Sequence, residues 1–373
     1  MLVLGDLFDL VALLPQIPSM NQFDFIDIED IEGIAQALGC EVSLLQKVLD
    51  RPSDFYNLIR VHRKRRPDEP RIVYEVNSDL KNLHKNILTA ITIKVKFPEC
   101  VQGFVPKRSI FTNASLHLGC KYVLNLDIKN FFESISVDKI TQVFETIGCN
   151  RSVAVTFAYL CTFNECLIQG ANTSPILANL VCSDLDEQFM KLGDEYNCSY
   201  SRYADDITFS GDTVPPKKKV ARCIDSYGFQ LNPDKYKCQP RGRQQYVTGL
   251  TVFDKVMPRI PKKVKKQLRQ VLYCIDKYGL DSHLEKIDDQ RGRISWIDGL
   301  IAFMYSVEPE QAYKLDIAWQ TILTKEDLPT SRDPFKVITK WRSLQNVSHS
   351  NITSLGIQKT GSNLDVSYSV DLF

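Results

Sequence analysis

Several features that mark metal-ribbon, secreted and membrane proteins are missing from this 373-residue chain. Its 11 cysteines include no C-x-x-C pair, which argues against a zinc ribbon or a disulfide framework and predicts reduced, mostly buried thiols. No apolar run is long enough to cross a bilayer. The apolar N-terminus contains Asp6 and Asp9 and lacks a basic region, so we expect an amphipathic docking segment rather than a signal peptide, in a cytoplasmic protein without membrane contact.

The chain also has almost no net charge. Its 46 Lys and Arg and 45 Asp and Glu leave a formal charge of +1, so net charge does not suggest a nucleic-acid partner and the distribution must be considered instead. The hydrophobic content of 44% is typical of a soluble folded protein. Without repeats or low-complexity linkers, a chain of this length suits two or three lobes.

Hydrophobic periodicity predicts a mixture of helices and strands, and thus an α+β fold. Helical periods cover 28–50, 79–93, 136–163, 175–192, 216–228 and much of 261–322. Strands are predicted at 71–76, 121–128, 199–203 and 207–210, with a strand pair within 244–253. The basic run Arg60–Arg66, a turn at Pro67–Pro70 and the strand Arg71–Val76 predict a basic hairpin. A further strand is predicted at Leu364–Val370, in a polar tail.

Carboxylates stand at the ends of predicted strands. Asp127 closes one strand, and Asp205-Asp206 lies in a tight turn between two others. Phosphoryl transfer needs carboxylates on rigid elements, because its two metal ions must be held about 3.5–4 Å apart. Asp-Asp is also a common turn dipeptide, so the surrounding residues must decide between the two interpretations.

Three ordered strings surround these carboxylates. They are Leu126–Phe132 (LDIKNFF), Gln169–Asn179 (QGANTSPILAN) and Tyr203–Asp206 (YADD). Together they resemble the palm motifs of reverse transcriptases. The resemblance implies a right-hand polymerase with fingers, an antiparallel palm with helices, and a helical thumb. The implied domains are an N-terminal helical extension (1–54), fingers (55–120, with part of 150–175), palm (121–254), thumb (255–322) and a C-terminal tail (323–373).

The resemblance implies that Asp127, Asp205 and Asp206 are catalytic and bind two Mg²⁺ ions. Phe132 matches the aromatic steric gate that excludes the 2′-hydroxyl of an rNTP, although a Phe is more often a core residue. Gln169 matches a glutamine that contacts the incoming nucleotide, with a loop amide as the alternative.

Three further basic positions are candidate nucleotide contacts. Arg71 resembles the fingers arginine that contacts the triphosphate, for which a guanidinium is well suited. A second phosphate contact is left open between Lys64 and Arg65, and a solvated charge run is the alternative. Lys235 matches a palm lysine sometimes assigned to protonating pyrophosphate, and a plain surface lysine is equally compatible with the sequence.

Two more strings resemble bacterial retron reverse transcriptases: Asn113–His117 (NASLH) and Val247–Gly249 (VTG). Arg291–Trp296 resembles their thumb, and the resemblance covers roughly residues 55–320. His117 and Asn113 either contact RNA or shape the fold around it, and VTG alone could be a strand that ends at a glycine. The basic side of helix Lys262–Ile275 either tracks a phosphate backbone or is simply solvated. The candidate RNA contacts are Asn113, His117, Val247, Thr248, Gly249, Lys262, Lys266 and Arg269.

The retron resemblance implies a specific activity. Such an enzyme binds a structured noncoding RNA encoded beside it and primes from a guanosine 2′-hydroxyl in that RNA. It copies part of the RNA from dNTPs, leaving a branched RNA–DNA hybrid (msDNA) that serves anti-phage defence with a separate effector protein. The alternatives are another bacterial reverse transcriptase of the abortive-infection or diversity-generating type, a non-catalytic polymerase-like RNA-binding scaffold, and an RNA-templated RNA polymerase.

Overall fold

A computed structural model describes residues 23–63, 66–280, 290–330 and 332–339. The chain divides into two compact units, which meet in the sequence between Met257 and Pro258. None of the described helices is both long enough and apolar enough to cross a membrane. The N-terminal docking segment, Lys64, Arg65 and the strand at Leu364–Val370 were predicted from the sequence and lie outside the described residues.

The larger unit, which ends at Met257, contains nine α-helices within its described part. Three of the predicted helical periods (28–50, 136–163 and 175–192) are each divided into two helices, with breaks at Gly39, Gly148 and Cys182. The helices are α1 (Ile31–Leu38), α2 (Val42–Asp50), α3 (Ser78–Lys94), α4 (Ile110–Ser115), α5 (Val137–Thr146), α6 (Arg151–Cys161), α7 (Ser174–Val181), α8 (Ser183–Glu195) and α9 (Lys217–Ser226).

Polar side chains cap the N-termini of several of these helices. Asn77 accepts a hydrogen bond from the backbone of Leu80 at the start of α3, at 3.0 Å, and Asn150 caps α6 in the same way. Ser109 and Thr112 form a reciprocal capping box at α4. The predicted long helices 28–50 and 136–163 are each interrupted because Gly39 and Gly148 have positive φ, which ends a helix.

A four-stranded antiparallel sheet forms the centre of the larger unit. Its strands are β3 (Tyr122–Asp127), β4 (Cys198–Tyr203), β5 (Asp206–Gly211) and β6 (Lys237–Pro240), in the order β4-β5-β3-β6. The side chains of Val123 and Leu124 on β3, and of Ile207 and Thr208 on β5, are buried, so both faces of these two strands are covered. The short hairpin β7 (Tyr246–Val247) and β8 (Leu250–Thr251) follows, as the sequence predicted.

A separate two-stranded ribbon pairs β1 (Tyr56–Arg63) with β2 (Arg66–Val76). The predicted hairpin is therefore present, but the predicted turn at Pro67–Pro70 is wrong, because β2 already begins at Arg66. Each strand of a two-stranded ribbon has one free edge, where a proline without an N–H removes no ladder hydrogen bond. That tolerance explains why two prolines fit within the strand.

Aromatic rings hold the helical side of this unit together. Phe144 and Phe157 stack with centroids 5.1 Å apart, and Phe25 packs edge-on against Phe157 at 5.4 Å. All three side chains are fully buried. No disulfide joins any of the 11 cysteines; four are buried, six are half-buried and Cys238 is exposed, so the expectation that most are buried is wrong.

The smaller unit is helical in its described part, with α10 (Lys262–Tyr278), α11 (Gln290–Tyr305) and α12 (Pro309–Lys325). Leu268, Ile275 and Trp319 are fully buried in it. The buried Glu308 carboxylate receives hydrogen bonds from the backbone of Ile260, at 2.9 Å, and from Lys265. The helical periods that the sequence predicted between 261 and 322 are confirmed for the described residues.

Candidate active site

The three predicted carboxylates converge at one end of the central sheet. Asp127 is the last residue of β3 and lies directly opposite Asp206, the first residue of β5. Asp205 occupies the turn between β4 and β5, and its carbonyl oxygen accepts a hydrogen bond from Ile128 N at 3.0 Å. Adjacent antiparallel strands thus place residues 79 positions apart in sequence within side-chain reach.

The carboxylates perturb one another electrostatically. Partial withdrawal from water, followed by repulsion from Asp206 and Asp127, raises the pKa of Asp205 to about 7. Withdrawal from water and the charge of Asp127 raise the pKa of Asp206 to about 6, although Lys235 opposes the shift. A cation beside these mutually repelling carboxylates would stabilise their charged forms.

Two side chains from the segment after α9 contact Asp127. Asn232 donates from its side-chain amide to Asp127 Oδ1 at 2.9 Å, and its backbone N–H donates to the Asp127 carbonyl oxygen at 2.8 Å. The Lys235 ammonium contacts Asp127 Oδ2 and lies 4.0 Å from Asp205. Loss of water lowers the pKa of Lys235, but the contact with Asp127 and the neighbouring carboxylates outweigh it and raise this pKa overall.

A buried arginine supports the turn from behind. Arg202 forms a two-pronged ion pair with Asp186, with N···O distances of 2.8 and 2.6 Å. Its remaining nitrogen donates to the Asn179 side chain and to the carbonyl oxygen of Ala204, at 3.0 and 3.2 Å. Both ion-pair side chains are essentially inaccessible to solvent. The backbone just before Asp205 is therefore held by a charged group that has no route to water.

The turn also needs a close backbone approach. Ala204 has a φ of 57°, and a Cβ on Gly103 would lie only 2.5 Å from its nitrogen. The carbonyl oxygen of Gly103 accepts a hydrogen bond from the Asn179 amide at 2.9 Å. Only a glycine at 103 lets this loop pack against the acidic turn.

The predicted nucleotide contacts lie on two neighbouring structures. The ribbon meets the body where Tyr74 N donates to the Gln169 carbonyl oxygen at 2.8 Å, and a Cβ on Gly170 would collide with the Tyr74 oxygen. Arg71 is exposed on the same strand, three residues before Tyr74. Gln169 and Phe132 are half-buried. The Phe132 ring packs against Phe131 and Phe104, with centroids at 5.4 and 6.3 Å.

A single chain of hydrogen bonds links NASLH to VTG. The Cys120 thiol donates to Ser210 Oγ, which contacts His117 Nδ1, and His117 Nε2 contacts Ser201 Oγ. Ser201 donates to Asn113 Oδ1 at 2.6 Å, and the Asn113 amide donates to Thr248 Oγ1 at 3.3 Å. Because the Ser201 hydroxyl donates its hydrogen to Asn113, it can only accept a hydrogen bond from His117. His117 must therefore carry its proton on Nε2 and accept a hydrogen bond from Ser210 on Nδ1.

Burial settles how NASLH acts in this structure. His117 and Asn113 are at most 1% exposed, and burial lowers the pKa of His117 to about 3, so the ring is neutral. The sequence left open whether these two residues contact RNA or shape the fold, and their burial supports the second role. Val247 is buried as well. Of the VTG string, Thr248 is half-buried and Gly249 is exposed.

A groove of about 420 Å³ opens beside the carboxylates. Asp206 and Lys235 border it at one side, and Thr248 and Gly249 at another. Its floor includes Asn125, whose amide donates to the Tyr246 carbonyl oxygen at 2.7 Å and so fastens the β7–β8 hairpin to the sheet. Thr248 and Gly249 of the VTG string therefore border the same groove as Asp206.

The predicted basic residues of the smaller unit lie along α10. Lys262, Lys266 and Arg269 are exposed and border an open groove with Gln270 and Tyr273. Arg269 donates to the Gln311 side chain at 3.2 Å. Lys265 differs from its neighbours because its ammonium is bound to Glu308. Lys262 and Lys266, like the neighbouring Lys263, thus present their side chains to solvent along this groove.

Sequence reasoning missed three contributors to the site. Asn232 stands three residues before Lys235, and only the lysine was assigned a role. Arg202 and Asp186 were not considered at all. A charged residue in the middle of a predicted strand is a signal for a buried ion pair, because an unpaired buried charge is very costly. That signal was present at Arg202 in the string SYSRYADD.

The donor set fits divalent metal ions by its chemistry. Three carboxylates supply the oxygen ligands that Mg²⁺ prefers. The raised pKa values of Asp205 and Asp206 reflect burial first and then repulsion from neighbouring carboxylates, which a cation would relieve. No ready-made cluster of three ligands occurs among the described residues. The Lys235 ammonium lies among these carboxylates, in the place where a positive charge is needed.

An antiparallel sheet with three carboxylates at one end, backed by helices and bordered by a groove, is typical of nucleic-acid polymerases. The model of the family described as reverse transcriptase (RNA-dependent DNA polymerase) matches residues 62–252. The chain belongs to this family, as the three motif strings predicted.

Similar proteins narrow the class further. The chain is 32% identical to the retron Mx65 reverse transcriptase of Myxococcus xanthus over 308 residues, which cover 76% of this chain and 70% of the relative. It is 29% identical to the retron Ec86 reverse transcriptase of Escherichia coli, over 72% of this chain and 84% of that one. A third relative, the retron Ec83 enzyme of E. coli, is 24% identical over 77% and 93%. The protein is an RNA-directed DNA polymerase of the bacterial retron type, which confirms the prediction.

Proposed function

We propose that this enzyme copies part of a cognate structured noncoding RNA into DNA, starting from a guanosine 2′-hydroxyl in that RNA. The product is a branched RNA–DNA hybrid (msDNA) that acts in anti-phage defence together with a separate effector protein, in the cytoplasm. The observation that carries the proposal is the hydrogen-bond chain from His117 to Thr248. It joins two strings that resemble retron enzymes to the strand that leads into Asp205.

The proposed activity requires the fingers, palm and thumb of a right-hand polymerase. We assign the ribbon and the helices around it to fingers (55–120 and part of 150–175), and the four-stranded sheet with its helices to the palm (121–254). Residues 255–322 form the thumb, between an N-terminal helical extension (1–54) and a C-terminal tail (323–373). The assignment is supported by the carboxylates at the end of the central sheet and by the basic face of α10.

Asp127, Asp205 and Asp206 would hold two Mg²⁺ ions, and the bound ions would supply charge stabilisation to the attacking hydroxyl and to the leaving pyrophosphate. Asn232 orients Asp127 through a side-chain hydrogen bond, so that one carboxylate oxygen has a fixed direction. The Lys235 ammonium, which contacts Asp127 in this structure, lies beside the carboxylates and would be a proton donor for the departing pyrophosphate.

The incoming dNTP lies between the ribbon and the sheet. Arg71 contacts the triphosphate, and the Gln169 segment, fastened to Tyr74, forms the neighbouring wall. The Phe132 ring presses on the sugar and excludes a 2′-hydroxyl, because packing against Phe131 and Phe104 limits its retreat. The enzyme therefore prefers dNTPs to rNTPs.

RNA contacts fall into two groups. Thr248 and Gly249 border the groove next to Asp206, where the priming nucleotide must present its hydroxyl. Lys262, Lys266 and Arg269 follow the phosphate backbone of the growing hybrid along α10. Asn113, His117 and Val247 act from inside, by holding the VTG hairpin and β4 in register.

The decisive experiment is expression of the protein with its native flanking DNA, followed by isolation, debranching and sequencing of the nucleic acid bound to it. We expect a short single-stranded DNA joined to RNA through a 2′,5′ linkage in the wild type, and none in Asp205→Ala/Asp206→Ala. Linear cDNA without a branch would move the protein to another class of bacterial reverse transcriptase. A double variant that still supports defence would instead favour a non-catalytic scaffold.

A further inference from the structure

One stretch of the chain departs sharply from its overall charge balance. Between Asp234 and Asp254 lie four basic residues and no acidic one, in a protein whose net charge is +1. Lys235 and Lys237 of this stretch border the groove at the carboxylates. Arg241 and Arg243 lie beyond it, and both are exposed.

The fold brings further basic and aromatic residues close to Arg241 and Arg243. Arg241 N donates to the Lys121 carbonyl oxygen at 2.6 Å, which brings these two residues together at one end of strands β3 and β6. Gly119 N donates to the Val252 carbonyl oxygen at 2.9 Å, and the aliphatic stem of Lys255 lies against Gly119. The resulting basic–aromatic surface consists of Lys121, Arg241, Arg243, Phe253 and Lys255.

The aromatic member is positioned unusually. Phe253 is 52% exposed, although a ring of that size is normally buried. The Arg241 guanidinium lies 4.9 Å from its centroid and donates to the Gly119 carbonyl oxygen at 2.5 Å. A fixed guanidinium covers part of the ring and leaves the rest open to solvent. Exposed rings beside cations are what unpaired bases use for stacking.

This surface is separate from the polymerase centre. β3 runs from Tyr122, next to Lys121, to Asp127, so the surface and the carboxylates lie at opposite ends of the strand. At about 3.3 Å per residue, the separation along the strand is about 17 Å. That distance is several nucleotides of chain, which is too far for the nucleotide that reacts.

We propose that the basic–aromatic surface is a second RNA-binding site, which holds an unpaired loop of the cognate RNA while another part of the same RNA is copied. Its cations contact phosphates and Phe253 stacks on a base. This inference rests on the proposed retron function for the identity of the RNA. An acidic protein would use the cations equally well, but it would gain nothing specific from an open ring held beside a guanidinium.

The test is equilibrium binding of the purified full-length protein to its cognate RNA, without dNTPs, at several salt concentrations. Phe253→Leu removes the aromatic face while keeping an apolar side chain, and Phe253→Tyr keeps it. We expect Phe253→Leu to raise Kd about tenfold with an unchanged salt dependence, and Phe253→Tyr to bind as the wild type does.

A charge variant tests the phosphate contacts. Arg243→Gln/Lys255→Gln removes two exposed cations, and the slope of log Kd against log salt is expected to fall by roughly 1–2. Lys191→Gln/Lys218→Gln, on α8 and α9, makes the same charge change elsewhere on the larger unit and serves as the matched control. Its affinity and slope should equal those of the wild type.

Failure of the inference can be told from failure of the proposed function. Equal Kd values for Phe253→Leu and the wild type overturn the RNA site. If Phe253→Leu then still loses defence in cells, the surface binds a protein rather than RNA. Equal losses in the control pair overturn it too. If the wild type makes branched DNA while all variants bind normally, the proposed function stands and only this site is refuted. All variants should extend a generic primed RNA template at the wild-type rate.

Discussion

Asp127 is the most constrained side chain of the site. Asn232 holds one of its oxygens, Lys235 contacts the other, and its side chain is only 3% exposed. Asp205 and Asp206, by contrast, belong to a turn whose support comes from behind through Arg202. One carboxylate is therefore oriented by direct hydrogen bonds, and the other two by the backbone that carries them.

The first prediction concerns the orientation of Asp127. Replacing Asn232 by Ala should lower kcat by about 10- to 100-fold and raise the Mg²⁺ concentration needed for half-maximal rate, since the loss of a group that orients a metal ligand typically has effects of this size. Initial rates of primer extension, measured across Mg²⁺ concentrations, test it. Asn82→Ala, an exposed position on α3, is the control. A fall in kcat with an unchanged Mg²⁺ requirement would contradict an effect through the metal ligands.

Phe132 offers a second test at this scale. Phe132→Ala removes the ring that packs on Phe131 and Phe104, so the space for a ribose 2′-hydroxyl increases and preference should move toward rNTPs. The ratio of kcat/KM for dCTP to that for CTP is expected to fall by at least tenfold. An unchanged ratio would make Phe132 a core residue and would reopen the possibility that the enzyme uses both kinds of nucleotide.

At the scale of elements, α4 and the VTG hairpin are joined to the central sheet by polar groups buried among apolar ones. His117 contacts one serine on β4 and another on β5. Buried polar groups that lack a partner are costly, so each member of this chain depends on the next. The helix, the two strands and the hairpin therefore behave as one assembly.

This dependence predicts a pH effect on stability. The pKa of His117 is about 3 in the folded protein and about 6.5 when unfolded, so below pH 6.5 the unfolded state binds more protons. Stability should therefore fall as the pH drops from 7 to 5, by about 2 kcal/mol from His117 alone. His84, whose pKa burial lowers to about 4, adds an effect of the same sign.

The comparison of wild type with His117→Asn isolates this contribution. The variant should be less stable at pH 7, by about 1–3 kcal/mol, because Ser201 and Ser210 lose their shared partner. Its loss between pH 7 and 5 should be smaller than that of the wild type. Denaturant unfolding at pH 7, 6 and 5 provides the measurement, and since Asp205, Asp206 and His84 are present in both proteins, their effects cancel. Parallel pH profiles would show that His117 titrates normally.

For the molecule as a whole, charge is distributed so that a nearly neutral chain presents basic faces. The face of α10 carries Lys262, Lys266 and Arg269, while the neighbouring Lys265 is neutralised by Glu308. In the larger unit, the carboxylates at one end of β3 contrast with the basic–aromatic surface at the other. Net charge therefore says little about partners here, and the location of each charge says much more.

Lys262→Gln/Lys266→Gln tests the proposed role of α10. If both lysines contact the phosphate backbone, the slope of log Kd against log salt for an RNA–DNA hybrid should fall by roughly 1.4–1.8. Binding measured between low and moderate salt determines the slope. Lys325→Gln/Lys336→Gln removes two exposed lysines elsewhere in the smaller unit and should leave the slope unchanged. A weaker Kd with the wild-type slope would mean that the variant perturbs the helix rather than the contacts.

The sequence by itself determined the class of enzyme. LDIKNFF, QGANTSPILAN and YADD are local strings, and β-strand alternation around Asp127 and Asp205 is a local pattern, so both can be recognised without a structure. Helix boundaries were less well predicted, because Gly39 and Gly148 interrupt runs whose apolar spacing continues past them. The two prolines predict a turn at 67–70, whereas strand β2 runs through them because the free edge of a ribbon tolerates proline.

Tertiary structure alone decided which residues act together. Arg202 pairs with Asp186, Asn113 reaches Thr248 across 135 positions, and Arg241 stacks on Phe253 beside Lys121. Periodicity tells which side of an element is buried, but it does not identify the partner across the interface, since that depends on the register and packing of elements distant in sequence. In the sequence, His117 is a candidate RNA contact, whereas in the fold it is a neutral core residue. The reason is that its protonation and its neighbours depend on burial, which the sequence does not show.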